Sequence, residues 1–442
     1  MNKIYRIRTI ESILTKHKEL EKQEIYMSPP EKLNDPMEGI LDIIWNGDEV
    51  LWENLFKHYT ECLVKFCLFI QLNKDDEIKL EQISTSYNIN LEYVEIKKII
   101  ENSFNLILKT EYVDKTIKYL AHNKLKLNIN ELKFLFYSCN PIIYYSIDNA
   151  INNNKQNAKI INDYTNSHLN KSLEKLKTGV YKQDYSTKFT KNRLKNTLTN
   201  SSIYSNEPNL SKLIFEDFPD FHSENLKNLI HPSWIAACFT GEKGIVDSAL
   251  WGNYSDKHEG VALIFKNDFH NNLNIINPDI TVFKSWRKMT YSKKIPEINF
   301  FDSISTGSHK DMINYWFYDK NKNPSKTPPP EPRDYYFLIH LIDKLITKTK
   351  HWKYEDEYRF LIASRKKSKD GIKLKYEFSS LIGIIFGINT SDKDKQSIIE
   401  IIDKKCNENN LLYFPFYQAY YDRESGDILY QQDPFLTIEK NP

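Results

Sequence analysis

Residues 3–8 read KIYRIR, and basic and apolar side chains alternate along most of this stretch. Alternation with a period of two is typical of a β-strand, because successive side chains point to opposite faces. Residues 9–20 carry apolar positions at helical spacing behind Thr9, a suitable N-cap. A second strand is predicted at EIYMS, residues 24–28, just before two prolines. The chain therefore opens with a strand, a helix, a strand and a turn.

Strand-like runs return only after residue 232. They are IAACFT (235–240), GVALIF (260–265), ITVFKSWRKMTY (280–291), EDEYRFLIA (355–363), LIGIIFG (381–387) and LLYFPFYQAYY (411–421). Apolar spacing predicts helices between them, at DYYFLIHLIDKLITKT (334–349) and SDKDKQSIIEIIDKKC (391–406). The proline-rich stretch PSKTPPPEPR (324–333) is expected to form an exposed loop.

The part of the chain between these strand-rich ends has a different character. It is rich in asparagine and lysine, and its apolar residues recur every three or four positions, as in LEYVEIKKIIENSFNLILKT (91–110). Strands at both ends must pair their backbone groups with one another, which makes the middle an insertion. We therefore predict an α+β fold in which both chain ends build a mixed or antiparallel sheet. The predicted bounds are 1–47 and 228–442 for this core domain and 48–227 for a mostly helical insertion.

Composition limits the classes of function. The chain has 442 residues, with 61 basic and 59 acidic ones, so its formal charge of +2 creates no global field for nucleic acid or an anionic membrane. Its five cysteines show no paired spacing, which favours reduced, buried thiols over a disulfide framework or a zinc site. The N-terminus lacks the apolar core of a signal peptide, and no long apolar run predicts a membrane span. The sequence thus predicts a cytoplasmic protein.

Three short clusters combine residue types that often carry chemistry. The first is Asn34, Asp35 and Glu38, which flank Pro36. The residues of this cluster form a turn whose Asn and Asp side chains can bond to their own backbone, so a structural role and a place at the rim of a site are equally good interpretations.

The second cluster, in LWGNYSDKHEGVALIF, consists of Trp251, Tyr254, His258 and Gly260. If the segment is helical, residues three and seven positions apart share a face, which would place indole, phenol and imidazole together. Gly260 would allow close approach of backbone. A buried aromatic ridge is the alternative to a functional site.

The third cluster, in HWKYEDEYRFLIA, consists of Trp352, Glu355, Glu357 and Arg359. In a strand, residues two apart face the same way, so both glutamates and the arginine would line one face. Such groups are costly to bury unless they are paired. A Glu–Arg ion pair on an exposed face explains Arg359 but leaves the tryptophan unexplained.

Together these motifs resemble those of a family, domain of unknown function 2971, found in bacteria and their mobile elements. The resemblance rests on the first strand (Tyr5 and Arg6), the turn from Ser28 to Glu38, the Trp-x-x-Tyr-x-x-x-His-x-Gly and Trp-x-x-Glu-x-Glu-x-Arg motifs, and the late strand from Ile384 to Gly387. It covers both ends of the chain and not the helical middle. The family name implies a fold and a site, without an activity.

The layout is also similar to that of ADP-ribosyltransferases, which have a basic first strand and a late strand carrying a Glu-x-Glu or a single glutamate. That likeness implies a site for NAD as substrate. A carboxylate would stabilise positive charge on the ribose, an arginine would meet the pyrophosphate, and an aromatic ring would stack on nicotinamide. The catalytic candidates are Glu357, Glu355 and His258, and the NAD-binding candidates are Tyr5, Arg6, Arg8, Asn34, Asp35, Trp251, Tyr254 and Arg359.

The implied function is that of a toxin or an anti-phage effector acting on a protein or nucleic-acid target. Two alternatives remain open at this point. A metal-dependent nuclease or phosphodiesterase would use the oxygen and imidazole ligands of Asp35, Glu38, His258, Glu355 and Glu357. A sensor without enzymatic activity would bind a small ligand or a phage protein in the core domain.

Overall fold

The structure is a computed structural model that describes residues 2–35, 42–72, 79–86, 94–153, 157–179, 210, 212–230, 233–267, 284–294, 296–304, 308–330, 346–364 and 371–440. Its strands are β1 (Asn2–Arg8), β2 (Glu24–Met27), β3 (Asp42–Ile44), β4 (Ser233–Thr240), β5 (Val261–Asn267), β6 (Lys284–Lys288), β7 (Thr290–Ser292), β8 (Glu297–Asn299), β9 (Thr347–Thr349), β10 (Glu357–Ser364), β11 (Ile372–Lys375), β12 (Leu381–Phe386), β13 (Tyr413–Phe414), β14 (Phe416–Tyr421), β15 (Ile428–Gln432) and β16 (Ile438–Glu439). Its helices are α1 (Glu19–Lys22), α2 (Glu49–Leu72), α3 (Val94–Leu108), α4 (Glu111–His122), α5 (Ile129–Asn152), α6 (Asn157–Thr178), α7 (Phe218–Leu226), α8 (Ser248–Tyr254), α9 (Phe300–Ser303), α10 (His309–Trp316) and α11 (Asp392–Glu408).

The chain divides into two compact units. Unit 1 consists of Met1–Leu41, Pro232–Pro296 and Ile342–Pro442, and unit 2 consists of Asp42–His231 and Glu297–Leu341. Residues 297–341, which the sequence-based bounds include in the core domain, group with unit 2.

Unit 1 is built on an eight-stranded sheet with the order β15-β14-β12-β5-β1-β4-β10-β6. The N-terminal strand β1 lies in its interior, antiparallel to β5 and β4, both of which follow residue 231. The pairing of β12 with β14 is parallel, so the sheet is mixed. The predicted α+β fold with a sheet built from both chain ends is confirmed.

Each face of this sheet carries its own apolar core. On one face, Ile398, Ile402 and Cys406 of α11 pack with strand residues such as Ile4 and Phe239. These helix positions are four residues apart and therefore share one side of α11. On the other face, Tyr5 and Ile7 of β1 pack with Trp251 of α8 and residues of β14 and β15.

Unit 2 is mainly helical, with α2 and α5 each 24 residues long. Both helices bury most of their residues, and Tyr59 of α2 stacks on Phe136 of α5 with ring centroids 4.3 Å apart. The Asn128 side chain caps α5 by accepting hydrogen bonds from the backbone N–H groups of Asn130 and Glu131. Two segments distant in sequence join in this unit where β3 pairs in parallel with β8.

Two local predictions need correction. The predicted helix over residues 9–20 is split into a π-helical turn (Glu11–Thr15) and the short α1, because Lys18 between them has a left-handed backbone with φ 51°. The predicted helix over 334–349 is wrong at its end. There Thr347–Thr349 form β9, which pairs in parallel with β7 and uses β-branched residues that suit strands. Residues 334–345 lie outside the described residues.

The remaining sequence-level expectations concern cysteines and membrane spans. Four of the five cysteines are buried, whereas Cys238 on β4 is exposed, and none forms a disulfide. Within the described ranges, no helix has both the length and the apolar character needed to cross a bilayer.

Candidate functional site

Unit 1 contains a cavity of about 190 Å³, here called the pocket. Seven of the predicted site residues line it, namely Tyr5, Arg6, Arg8, Asn34, Tyr254, Glu355 and Glu357. The other lining residues come mainly from β4, from the end of β2 and from Lys348. The two chain ends therefore contribute to a single site.

The pocket forms where the eight-stranded sheet opens. Strand β1 pairs along its whole length with β5, and β4 pairs along its whole length with β10, but β1 and β4 share only the pair Tyr5–Thr240. Farther along β4, Ser28, just after β2, pairs with Ala236 in place of β1, through two backbone hydrogen bonds of 2.8 Å. Residues 237–239 of β4, between these two contacts, line the pocket.

A group of four charged side chains, three of which line the pocket, is here called the carboxylate cluster: Lys348, Glu355, Glu357 and Arg359. The Lys348 ammonium lies 2.7 Å from a carboxylate oxygen of Glu355 and 2.7 Å from one of Glu357. The Arg359 Nε donates to the other oxygen of Glu357 at 2.6 Å. All four side chains are buried, so their two negative and two positive charges balance in a region of low dielectric.

The backbone around the carboxylate cluster explains how it is held. Glu355 ends a 3₁₀ helix (Lys350–Glu355), and Asp356 then adopts a left-handed conformation with φ 40° before β10 begins. The Thr240 hydroxyl donates to the Glu355 carbonyl at 2.6 Å. The predicted row of three side chains on one strand face is therefore wrong for Glu355, which precedes the strand. Lys348 brings the two carboxylates together instead.

Trp352 also finds an explanation. Its ring lies under the Lys348 ammonium, which is 5.0 Å from the ring centroid. An ammonium over an indole face is attracted by the ring quadrupole. The tryptophan of the Trp-x-x-Glu-x-Glu-x-Arg motif therefore supports the lysine that the glutamates share.

Tyr254 extends the carboxylate cluster toward the open part of the pocket. Its hydroxyl donates to the second oxygen of Glu355 at 2.7 Å. Burial, followed by the negative charge of Glu355, raises the pKa of Tyr254, so the phenol keeps its proton. Burial alone would raise the pKa of Glu357, but the positive charges of Arg359 and Lys348 outweigh it and lower the pKa to about 2. Glu357 is thus an ionised carboxylate at neutral pH.

Arg6, on β1, also lines the pocket and differs from the other buried charges. Its side chain is 6% exposed, yet among the described residues no carboxylate forms an ion pair with it. One guanidinium nitrogen donates to the Tyr26 carbonyl at 3.4 Å, and Nη1 has no hydrogen-bond partner. Burial lowers the pKa of Arg6 to about 10, which still leaves it charged. Since the carboxylate cluster is neutral overall, Arg6 gives the pocket an excess positive charge.

Arg8, unlike Arg6, has a carboxylate partner. It forms a two-pronged ion pair with buried Glu19, with Nε donating at 2.9 Å. Of the two predicted anion-binding arginines, Arg6 is therefore the one without a carboxylate partner among the described residues.

The structure places several predicted site residues away from the pocket lining. Helix α8 ends at Tyr254, and His258 lies beyond it in a left-handed turn with φ 69°. The predicted helical i, i+7 pairing is therefore wrong, although the His258 and Trp251 rings are parallel with centroids 6.4 Å apart. Trp251 is buried, and its indole N–H donates to the Ile245 carbonyl at 2.7 Å. This contact fits a core role.

Arg359 lies behind Glu357 and does not line the pocket. Asp35 is buried next to the lining residue Asn34 but is not part of the lining. Glu38 lies outside the described residues.

Gly260 and the His258 carbonyl show what the rest of the second motif does. A Cβ on Gly260 would lie 2.2 Å from the carbonyl oxygen of Arg8, so glycine is needed for the close approach of β1. The Gly260 and His258 carbonyls accept hydrogen bonds of 3.0 Å from the N–H groups of Gly387 and Asn389 at the end of β12. The motif thus joins three segments of unit 1 and contributes Tyr254 to the pocket.

Sequence reasoning missed Lys348 and Tyr291. Tyr291, on β7, accepts a hydrogen bond of 2.8 Å from the Glu357 N–H. Lys348 belongs to residues 334–349, whose apolar spacing predicted a helix. The sequence therefore did not indicate that Lys348 lies in a strand next to Glu355. The one signal in the sequence was a pair of glutamates that would need a cation when buried, and Arg359 supplied that cation in the prediction.

Comparison with known proteins gives one result. Residues 250–360 match the family model of a protein of unknown function (DUF2971). The match confirms the predicted resemblance over the segment that holds Tyr254 and the carboxylate cluster. Arg6, which also lines the pocket, precedes the segment that matches this family model. No curated protein and no solved structure matches the chain.

Proposed function

We propose that the pocket binds NAD and that the chain cleaves its nicotinamide–ribose bond, transferring ADP-ribose to a macromolecule or to water. One observation carries the proposal: a buried arginine that has no carboxylate partner among the described residues lines the same pocket as two glutamates. An anionic dinucleotide would satisfy the arginine, and a carboxylate would stabilise the charge that develops on the ribose.

The roles of the two glutamates differ in this proposal. Both oxygens of Glu357 interact with Arg359, at 2.6 and 3.3 Å, and one also contacts Lys348. Glu355 contacts Lys348 and the neutral Tyr254 hydroxyl. Glu355 therefore keeps more of its negative charge available, and we assign to it the hydrogen bond to the ribose and the stabilisation of the oxocarbenium ion. Glu357 positions Lys348.

The bond changes follow from this arrangement. The ribose–nitrogen bond breaks, and its electron pair leaves with nicotinamide, which becomes neutral. A hydroxyl, an amine or water then forms a bond to the same ribose carbon and loses a proton to a carboxylate or to solvent. Arg6 would bind the pyrophosphate, as the buried pocket cation that has an unused donor.

The size of the pocket sets a limit on what it encloses. Its volume of about 190 Å³ is below the roughly 300–1,000 Å³ of pockets that bury most of a drug-sized ligand. The proposal therefore places the nicotinamide riboside part inside and leaves the adenosine part at the opening. As an NAD-consuming effector, the protein would act in the cytoplasm, where its substrate is, as a toxin or an anti-phage defence protein.

The geometry supports this proposal better than a metal-dependent nuclease. The carboxylates of Glu355 and Glu357 each have a cationic partner within 2.7 Å, and His258 lies outside the pocket lining. A divalent ion would have to displace Lys348 to reach both glutamates. The sensor alternative shares the pocket and differs only in the chemistry, so an activity assay separates the two.

The test uses the full chain with NAD labelled in the adenosine part. We expect release of free nicotinamide and transfer of label to an added cell extract or to water. Glu355→Gln keeps the shape of the side chain and removes its charge, so we expect a loss on the order of 100-fold or more in rate. The control is Glu408→Gln, on the exposed side of α11, which should leave the rate unchanged.

Binding is measured separately by thermal shift. NAD at 100 times its dissociation constant would stabilise the native state by about 2.7 kcal/mol. Stabilisation without nicotinamide release would support the sensor alternative. The absence of both stabilisation and nicotinamide release would overturn the proposal.

A further inference from the structure

Unit 2 contains a second group of chemically active side chains, unrelated to the pocket. His58 and Cys62 lie one turn apart on α2, and His222 lies on α7. All three are at most 1% exposed. One candidate ligand atom from each residue lies within 4.8 Å of the other two. In the described part of the chain, no other group of three or more His, Cys, Asp and Glu residues meets this condition.

The hydrogen bonds of the two histidines assign their protons. His58 Nε2 lies 2.9 Å from the Thr85 carbonyl oxygen, which can only accept, so this nitrogen carries the hydrogen. His58 Nδ1 is then a bare acceptor, and His222 Nε2 donates to it at 2.9 Å. The Nδ1 of His222 consequently has a free lone pair. It is buried and has no hydrogen-bond partner.

The third candidate ligand lies close to the histidine pair. Cys62 Sγ is 4.0 Å from His58 Nε2. Zinc binds cysteine as the thiolate, so metal binding requires the thiol to lose its proton.

An aromatic core is the simpler explanation for buried histidines, and part of it applies. The His58 ring lies 5.3 Å from the Trp316 ring, and the His222 ring lies 4.7 Å from the Tyr59 ring. Packing does not explain the His222 Nδ1 lone pair, however. A buried acceptor without a hydrogen bond destabilises the fold, and a phenylalanine at this position would avoid that cost.

We propose that His58, Cys62 and His222 bind a zinc ion that joins α2 to α7. Zinc accepts a mixture of imidazole and thiolate ligands, and a site with three protein ligands completes its tetrahedron with water. Binding releases the proton of the Cys62 thiol to solvent. It also replaces the His58–His222 hydrogen bond by a bond from one nitrogen of each ring to the metal. No oxidation or reduction is involved, and the inference is independent of the proposed NAD chemistry.

The test measures zinc in the full chain, purified without a polyhistidine tag and without chelators. We expect about one zinc ion per chain by plasma mass spectrometry. Cys62→Ser and His222→Asn should each lose most of it. Cys67→Ser is the matched control, because Cys67 is also a buried cysteine on α2 but is not in the cluster, and its zinc content should equal that of the wild type.

Cobalt provides a second measurement that does not depend on whether the variants fold. The wild-type protein is stripped with a chelator and titrated with Co²⁺. A thiolate–cobalt charge-transfer band with tetrahedral d–d absorption, lost on addition of Zn²⁺, is expected. Absence of this band, or a zinc content that is negligible in the wild type or equal in wild type and Cys62→Ser, would overturn the proposal and leave a purely aromatic core.

Discussion

Lys348 links the charges on one wall of the pocket, because one ammonium group contacts both Glu355 and Glu357 at 2.7 Å. Its removal would leave Glu355 with no cationic partner among the described residues, whereas Glu357 would keep Arg359. Breaking a buried ion pair by removing one partner costs about 3–5 kcal/mol. We therefore expect Lys348→Met to lower the free energy of unfolding by that amount in urea titrations.

A matched control separates charge from side-chain loss. Lys18 pairs with Glu21 at 3.5 Å on the surface, and Lys18→Met should cost less than about 1 kcal/mol. The double variant Lys348→Met with Glu355→Gln should recover part of the stability lost, because the stranded charge is gone. A double variant less stable than Lys348→Met would contradict this account of the carboxylate cluster.

Glu357 should make the stability of unit 1 sensitive to acid. Its folded-state pKa is about 2, below the ordinary value of 4.5, so the unfolded chain binds more protons between these values. The stabilisation is complete above pH 4.5 and is lost as the pH falls toward 2, to a total of roughly 3 kcal/mol. Unfolding free energies of wild type and Glu357→Gln should therefore converge as the pH falls from 7 to 3. Parallel pH profiles would show that Glu357 does not titrate in this way.

At the scale of elements, replacement of two glycines of the second motif by alanine should have opposite effects on stability. A Cβ on Gly260 would lie 2.2 Å from the Arg8 carbonyl oxygen, and backbone on both sides prevents relief. Gly260→Ala should therefore destabilise the protein by at least about 1–3 kcal/mol. A Cβ on Gly252, in α8, would have no atom within 4 Å, so Gly252→Ala should be neutral or stabilising by up to about 1 kcal/mol.

Thermal unfolding of the two variants provides the measurement. Each adds the same methyl group within the same motif, so a difference between them reports the local space and not the chemistry of alanine. Equal melting temperatures for Gly260→Ala and the wild type would mean that β1 can move away from Gly260, and that the junction is looser than the structure describes.

At the scale of the whole molecule, each unit is assembled from separate segments. Removal of residues 60–220 alone would cut α2 and take away α3–α6, while leaving behind residues 297–341 of unit 2. Removal of both 42–231 and 297–341, each replaced by a short linker, spares the segments of unit 1. We expect this shortened chain to keep the dispersed amide spectrum of a folded sheet protein, because both apolar faces of the sheet are covered within unit 1. A spectrum typical of an unfolded chain would show that unit 1 needs unit 2 to fold.

Local patterns were enough to predict much of this architecture. Alternation in KIYRIR located β1, and the strand-like runs at 235–240, 355–363 and 381–387 located β4, β10 and β12. The four-residue spacing of Ile398, Ile402 and Cys406 likewise located α11. Patterns at both ends with helices between them implied a shared sheet, since strand backbone must be paired.

Contacts between distant segments decided the sites. Lys348 pairs with two glutamates because β9 lies beside the 3₁₀ helix that precedes β10, and His58 meets His222 because α2 lies near α7. Neither contact can be predicted from the periodicity of the sequence. Each depends on which faces of the strands and helices pack together and in what register. The same holds for Arg6. The sequence showed only that Arg6 is a basic residue in a strand. The structure shows that Arg6 is buried beside the opening between β1 and β4 and has no carboxylate partner among the described residues. A buried charge without such a partner is the basis for the proposed anion site.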